Sequence, residues 1–465
     1  MLFHSWPFVI LLVATMVVCL IVASRHRWVV LLISSLIFYG WWRVDYLSLM
    51  LLTATSCYLA GLVIEAALVS WKRRLALVAV IAVNLVVLGL FKYWGLIADL
   101  INTLASTGLR PELGLLLPVG ISFYTFQSIG YTIDVYRGNV PAERNPARFL
   151  LFVSFFPQLV AGPIERAAKL LPALRSPIRF TPAGFRFGLW LMLWGYFKKL
   201  VIADRAAMFA DHGFSHSDEC GGASLMLAVY AFAVQIYCDF SAYSDIASGA
   251  ARLFGVPLMR NFNRPYAALS LREFWARWHI SLSTWFRDYL YVPLGGNRKG
   301  RYRWAMNLTL VFTLSGLWHG AAWTFLWWGL LHAAGMFCER LWRPFPTGLR
   351  WAITFHLVLI GWMIFRSPSL SQVAHMLELI VCRPTSLAGF RPPETSGLDM
   401  PVLTVALIWL AIIERPSAGS LRWTVASWVG NRGRRVSLAV IAVTCFLLIN
   451  FGLFSDRSRF IYFQF

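Results

Sequence analysis

Residues Trp304–Cys338 read WAMNLTLVFTLSGLWHGAAWTFLWWGLLHAAGMFC, 35 positions without an Asp, Glu, Lys or Arg. In lipid the backbone groups of such a stretch find no water, so they must pair within the segment, which selects helix. One straight helix of that length would run about 50 Å, well past the hydrocarbon of a bilayer. The segment must therefore turn or break. Gly320-Ala321-Ala322 is the expected place, which sets His319 beside a bend within a hydrophobic hairpin or re-entrant loop.

The rest of the chain repeats the pattern. Pro7–Ser24, Trp28–Trp42, Tyr46–Ile64, Leu75–Phe91, Leu113–Ile133, Gly221–Cys238, Trp351–Phe365 and Val436–Ser455 also carry no charge. Of 465 residues, 58% are hydrophobic and 14% charged, where soluble domains hold about a quarter charged. Too few polar groups remain to cover a soluble surface, so lipid covers part of it. The runs do not alternate as barrel strands would. An all-α polytopic membrane protein with roughly ten to twelve passes is expected, some of them short or broken.

The net charge of +21 is spread over many short loops. This fits the positive-inside bias of an inner-membrane protein and argues against nucleic-acid binding. Arg25 and Arg27 follow the first run, and Lys72, Arg73 and Arg74 follow the third, so both loops read as cytoplasmic and the N-terminus as external. Lys198 and Lys199 fit that count poorly. Met1–Pro7 holds no Lys or Arg, and no small-residue cleavage site follows, so the first run reads as a retained span. The seven cysteines are scattered, without a CxxC pair, and read as small core residues rather than disulfides or a metal site. No P-loop, dinucleotide fingerprint or HExxH motif appears, so neither a metal nor a bound cofactor is expected.

A single membrane domain is expected over residues 1–465, in three zones. Residues 1–110 hold plain spans, 111–345 hold almost every polar residue at membrane depth, and 346–465 return to plain spans. Phe149–Ile164 is apolar but holds Pro157 and Pro163, and reads as an irregular or re-entrant segment. Residues 271–290 read as one amphipathic helix. Its stripe is Leu271, Phe274, Trp275, Trp278, Leu282, Trp285, Phe286 and Tyr289, with His279 at the border.

An ionisable group at membrane depth marks a site or a pathway by default. His319 suits general-base work on a hydroxyl; a histidine satisfied by a carbonyl is the alternative. His279, within Trp278-His279-Ile280-Ser281, orients or proton-couples to such a group, or sits at the interface. His332 reads as structural. Asp239-Phe240-Ser241-Ala242-Tyr243-Ser244-Asp245 reads as a buried polar network or substrate-facing wall, or as a capped helix end.

Several motifs in fixed order carry a resemblance. They are Pro118–Tyr124 with Tyr131–Gly138, Ala161-Gly162-Pro163-Ile164, Asp239–Asp245, Phe274–Ser283, Trp285–Tyr291, Leu294–Arg298 and Gly316-Leu317-Trp318-His319-Gly320, with Phe460–Phe465 at the end. The chain resembles the membrane-bound O-acyltransferase (MBOAT) family, and within it the bacterial alginate O-acetylation branch. The resemblance implies the MBOAT fold: transmembrane, re-entrant and interfacial helices around a central channel. It implies catalytic His319 with His279 as the second site histidine. Asp239, Ser241, Tyr243, Asp245, Trp278, Ser281 and Trp318 are the candidate substrate-lining residues. It further implies acetyl-CoA as a cytoplasmic donor substrate, a periplasmic acyl-accepting or transferase partner, and a polysaccharide as final acceptor. Arg272, Arg277, Arg298 and Lys299 are then candidate contacts for the donor phosphates, or ordinary positive-inside charges. Without the resemblance, a transporter or channel, or a non-catalytic scaffold of a polysaccharide export complex, fits the same composition.

Overall fold

The computed structural model describes residues 1–105, 108, 117–160, 162–389, 397–414, 434–454 and 460. Ala161, residues 113–116 of the fifth charge-free run, Ser455 and Ile461–Phe465 lie outside the described residues. The described chain is helical, with no strand among the described residues. In order the helices are α1 (Trp6–Ile21), α2 (Arg27–Gly40), α3 (Leu47–Ala66), α4 (Ser70–Leu88), α5 (Trp94–Ala105), α6 (Ile121–Tyr136), α7 (Pro146–Ser154), α8 (Ala167–Arg175) and α9 (Pro182–Phe197). They continue with α10 (Asp204–Ser215), α11 (Gly222–Leu253), α12 (Leu271–Arg277), α13 (Ile280–Phe286), α14 (Gly300–His319), α15 (Trp323–Cys338), α16 (Thr347–Arg366), α17 (Leu370–Cys382), α18 (Asp399–Ile413) and α19 (Arg434–Phe451).

Four helical stretches are long and apolar enough to cross a bilayer: Leu47–Ala66, Ser70–Ala105, Gly222–Leu253 and Thr347–Arg366. Trp6–Ile21, Leu370–Cys382, Asp399–Ile413 and Ser437–Phe451 are shorter apolar helices. The apolar window of Ser70–Ala105 is only 17% buried, whereas that of Gly222–Leu253 is 67% buried. Exposed aliphatic side chains on α4 and α5 are what a lipid-facing helix presents, while α11 turns most of its surface to protein.

The chain forms two compact units. The first comprises Met1–Gly188, Ala247–Arg260 and Thr284–Pro293; the second comprises Leu189–Ile246, Asn261–Ser283 and Leu294–Phe465. In the first, α6 is buried along nearly its whole length, and Gly61 of α3 admits the Tyr131 ring of α6, because a Cβ there would stand 2.7 Å from its hydroxyl. The basic loops gather at one end of this unit. Arg73 donates to the Tyr136 carbonyl at 2.9 Å, Arg144 pairs with Glu65, Arg148 lies over the Trp28 ring, and Arg27 donates to the Ile178 carbonyl at 2.8 Å. That end collects the loops the charge count assigns to the cytoplasm. Phe149–Ile164 is broken as expected: α7 stops at Ser154, residues 156–160 form turns, and the described residues from 162 to 166 belong to no helix.

The expectation of one helix over 271–290 is corrected. α12 stops at Arg277, Trp278 is extended, and His279 has φ +42°, after which α13 begins at Ile280. The cause is a chain segment from elsewhere in the sequence. The Asn261 carbonyl accepts from Ile280 N–H at 2.9 Å, and Asn263 N–H donates to the Arg277 carbonyl at 2.8 Å. These backbone groups are taken from the helical ladder, so the helix breaks between them.

Candidate active site

The second unit contains both sequence-nominated histidines. α14 ends on His319; Gly320 is extended; α15 starts at Trp323, so the break falls where the sequence placed it. The two helices touch backbone to backbone. A Cβ on Gly316 would stand 2.1 Å from the Phe325 carbonyl oxygen, and one on Gly329 would stand 2.3 Å from that of Phe312. The small residues of Leu314–Gly320 thus serve helix contact; at Gly320 the Phe325 ring fills the space a Cβ would take. Gly316→Ala is expected to force the hairpin apart at a cost of about 1–3 kcal/mol and to lower acyl transfer by moving His319. Thermal unfolding in detergent and an activity assay on the same preparation check this.

His319 keeps 5% of its surface exposed and His279 1%. Their ring centroids are 6.5 Å apart at 67°. Trp318, Trp328 and Phe365 surround the His319 ring at 5.1, 5.2 and 5.4 Å. His319 is the last residue of a 20-residue helix.

His279 lies against Phe240 edge-on at 4.7 Å and Trp318 at 5.9 Å. Ser281, fully buried, holds its hydroxyl 3.4 Å from His279 Nδ1 and donates to Asn261 Oδ1 at 2.9 Å. The Ser281 N–H also donates to Asn261 Oδ1, at 3.1 Å, and Asn261 Nδ2 reaches Ser244 Oγ at 3.3 Å. Sequence reading missed Asn261. Its signal, Arg260-Asn261-Phe262-Asn263-Arg264, is a polar stretch with no spacing relation to either histidine.

The Asp239–Asp245 segment lies inside the 32-residue α11, not at a helix end. Both carboxylates meet lysines that sequence reading could not place. Lys199 pairs with Asp239 at 2.8 Å and Asp204 at 2.9 Å; Lys198 pairs with Asp245 at 2.7 Å and donates to Ser241 at 2.8 Å. Lys198 and Lys199 belong to a wide helical turn, Lys198–Ala203, between α9 and α10, and both are buried. This explains their poor fit to a count of cytoplasmic loops. Tyr243 packs on Phe460 at 4.6 Å, and Trp278 sits in an aromatic cluster with Phe262, Phe274 and Trp362. His332 is buried between Phe312, Trp275 and Trp328. Of the candidate phosphate contacts, Arg277 pairs with Glu273 and Arg272 lies 3.9 Å from Glu339, while Arg298 and Lys299 are exposed ahead of α14. No group of three or more metal-ligating side chains occurs among the described residues, and all seven cysteines are free thiols.

The sequence profile of the membrane-bound O-acyltransferase family matches residues 142–350, which include both histidines and Asn261. The chain is also 38% identical over 468 residues to a probable alginate O-acetylase AlgI of Pseudomonas putida, covering 95% of each chain. The chain belongs to the membrane-bound O-acyltransferase family. It is 43% identical over 399 residues to a probable alginate O-acetylase AlgI of Pseudomonas syringae pv. tomato, covering 83% of this chain and 76% of the relative. To a peptidoglycan O-acetyltransferase of Helicobacter pylori it is 37% identical over 385 residues, covering 76% and 73%. This MBOAT chain is therefore a polytopic membrane enzyme, an O-acyltransferase.

Proposed function

We propose that this enzyme transfers an acetyl group from cytoplasmic acetyl-CoA to a hydroxyl on the outer side of the bacterial inner membrane. The route leads to O-acetylation of an alginate-like exopolysaccharide, directly or through a periplasmic acyl-accepting or transferase partner. The observation that carries the reading is the approach of two buried imidazoles, 6.5 Å between centroids, at two helix breaks within the family match. The names of its relatives, two alginate O-acetylases and a peptidoglycan O-acetyltransferase, support acetyl as the acyl group.

In this reading a water-filled passage brings donor and acceptor to His319 from opposite faces. His319 takes the proton of the acceptor hydroxyl as its oxygen attacks the thioester carbonyl. The adduct carries its charge on the former carbonyl oxygen. N–H groups in the first turn of α15, which precede the intrahelical ladder, are the donors that face it; such a donor is worth about 3–4 kcal/mol. The carbon–sulfur bond then breaks, and the imidazolium returns its proton to the CoA sulfur. Arg272, Arg277, Arg298 and Lys299 attract the CoA phosphates. No metal or bound cofactor takes part.

The test gives inside-out membrane vesicles acetyl-CoA labelled in the acetyl group. Label is expected in an alkali-labile ester on carbohydrate or on a protein acceptor, and sugar analysis of the product names the polymer. Acetyl-CoA that stays intact when acceptor polysaccharide and periplasmic extract are enclosed in the vesicle lumen overturns the reading. Flux of an intact substrate without consumption of acetyl-CoA identifies a transporter instead.

A further inference from the structure

We propose that Asn261 and Ser281 are positioning residues that lock His279 in the tautomer with the proton on Nδ1, so that Nε2 meets its partner as a hydrogen-bond acceptor. This deepens the catalytic reading above and rests on it for its kinetic consequence only.

A backbone N–H can only donate. Ser281 N–H points at one terminal atom of the Asn261 amide, 3.1 Å away, so that atom is the oxygen and not the nitrogen. Nδ2 then faces Ser244, 3.3 Å away. The amide orientation, usually ambiguous, is fixed by this contact. Ser281 Oγ lies 2.9 Å from the same Oδ1, which has no proton to give, so the hydroxyl spends its one hydrogen there. Toward His279 Nδ1, 3.4 Å away, Ser281 Oγ can then only accept. A proton on Nδ1 satisfies that contact, and in the neutral ring Nε2 is left with a lone pair.

The backbone supports the same arrangement. His279 has φ +42°, a conformation costing a non-glycine residue about 1–3 kcal/mol. Asn261 holds it through both its parts: the carbonyl accepts from Ile280 N–H at 2.9 Å and the side chain takes Ser281. Phe240, edge-on to the ring at 4.7 Å, fixes its plane. Asn261, Ser281 and His279 retain 2%, 0% and 1% of their surface, so water does not compete for these contacts.

The tautomer decides what His279 does. With Nε2 as an acceptor, neutral His279 orients a hydroxyl or receives a proton from a neighbouring donor such as protonated His319. It does not donate to an oxyanion. In the reading above, that work falls to the N–H groups in the first turn of α15.

The test reads the tautomer directly. The full chain in nanodiscs, with 15N-labelled histidine, is measured by NMR, and the His279 signals are assigned by their loss in His279→Gln. The wild type is expected to show Nδ1 as the protonated nitrogen and Nε2 as the bare one. Ser281→Thr keeps this pattern. Ser281→Ala and Asn261→Leu, the latter freeing the Ser281 hydroxyl to donate to Nδ1, shift it toward the opposite tautomer. In transfer assays Asn261→Leu is expected to lower kcat about 100-fold, the usual cost of a misplaced catalytic group, with KM little changed, while Asn261→Asp, which keeps the acceptor oxygen, retains more. A wild-type spectrum with the proton on Nε2, or one unmoved by Ser281→Ala, overturns the proposal. If the spectrum is as expected and His279→Gln transfers at the full rate, the lock stands and the catalytic reading of His279 falls.

Discussion

His319→Ala is expected to lower acyl transfer by about two to four orders of magnitude, the usual contribution of a positioned general base, with protein level and membrane insertion unchanged. The side chain ends α14 and packs against rings at 5.1–5.4 Å. Its removal leaves a modest cavity but no unpaired charge, so the fold tolerates it far better than the chemistry does. His319→Gln, close in shape but unable to take a proton at neutral pH, is expected to be as inactive as the alanine variant. Acetyl ester on the exported polymer, set against protein abundance in the membrane fraction, is the measurement. Persistence of ester in either variant removes His319 from the reaction. A non-catalytic scaffold predicts that outcome, because it fails only when the whole protein is lost.

Lys199→Met is expected to destabilise the protein by about 3–5 kcal/mol, the penalty for leaving buried charge without its partner. Lys199 bridges Asp239 and Asp204, and all three side chains are at most 7% exposed. Without the ammonium two carboxylates remain buried together, and their mutual repulsion adds to the desolvation of each. The triple replacement Lys199→Met, Asp204→Leu, Asp239→Leu is expected to recover much of the loss, since a buried ion cluster exchanged for packed apolar side chains is often near neutral. Thermal unfolding of the purified protein in detergent compares the two variants. Equal stability of Lys199→Met and wild type would show that the lysine does not hold α11 against the turn that follows α9.

Much of the fold is legible in the sequence because lipid removes alternatives. A charge-free run in hydrocarbon must be a helix, so Pro7–Ser24, Trp28–Trp42 and Tyr46–Ile64 recur as α1, α2 and α3 within a few residues. The need for a bend follows from the length of Trp304–Cys338, and the small residues Gly320-Ala321-Ala322 mark its place. His319 and His279 were nominated by their cost at membrane depth and by motif order, and the fold brings these two together. Residues 271–290 were misread, since periodicity assumes that a helix keeps its own hydrogen bonds. Here Asn261 and Asn263, from a preceding loop, take them. Lys198 and Lys199 were read against a loop-charge rule although neither is in a loop.

The sequence by itself determined a polytopic helical protein, its family, the break after His319 and the two imidazoles worth testing. The family rests on the order of motifs along the chain; the rest depends on hydrophobicity and local spacing, which act within one segment. The tertiary structure alone decided that Asn261 splits the helix before Ile280, that Lys198 and Lys199 neutralise carboxylates some 40 positions away on α11, and that Ser281 faces His279 as an acceptor. Those are pairings between groups distant in the chain. Burial makes each unpaired partner costly and so selects the match, but no local pattern records which partner the fold will supply.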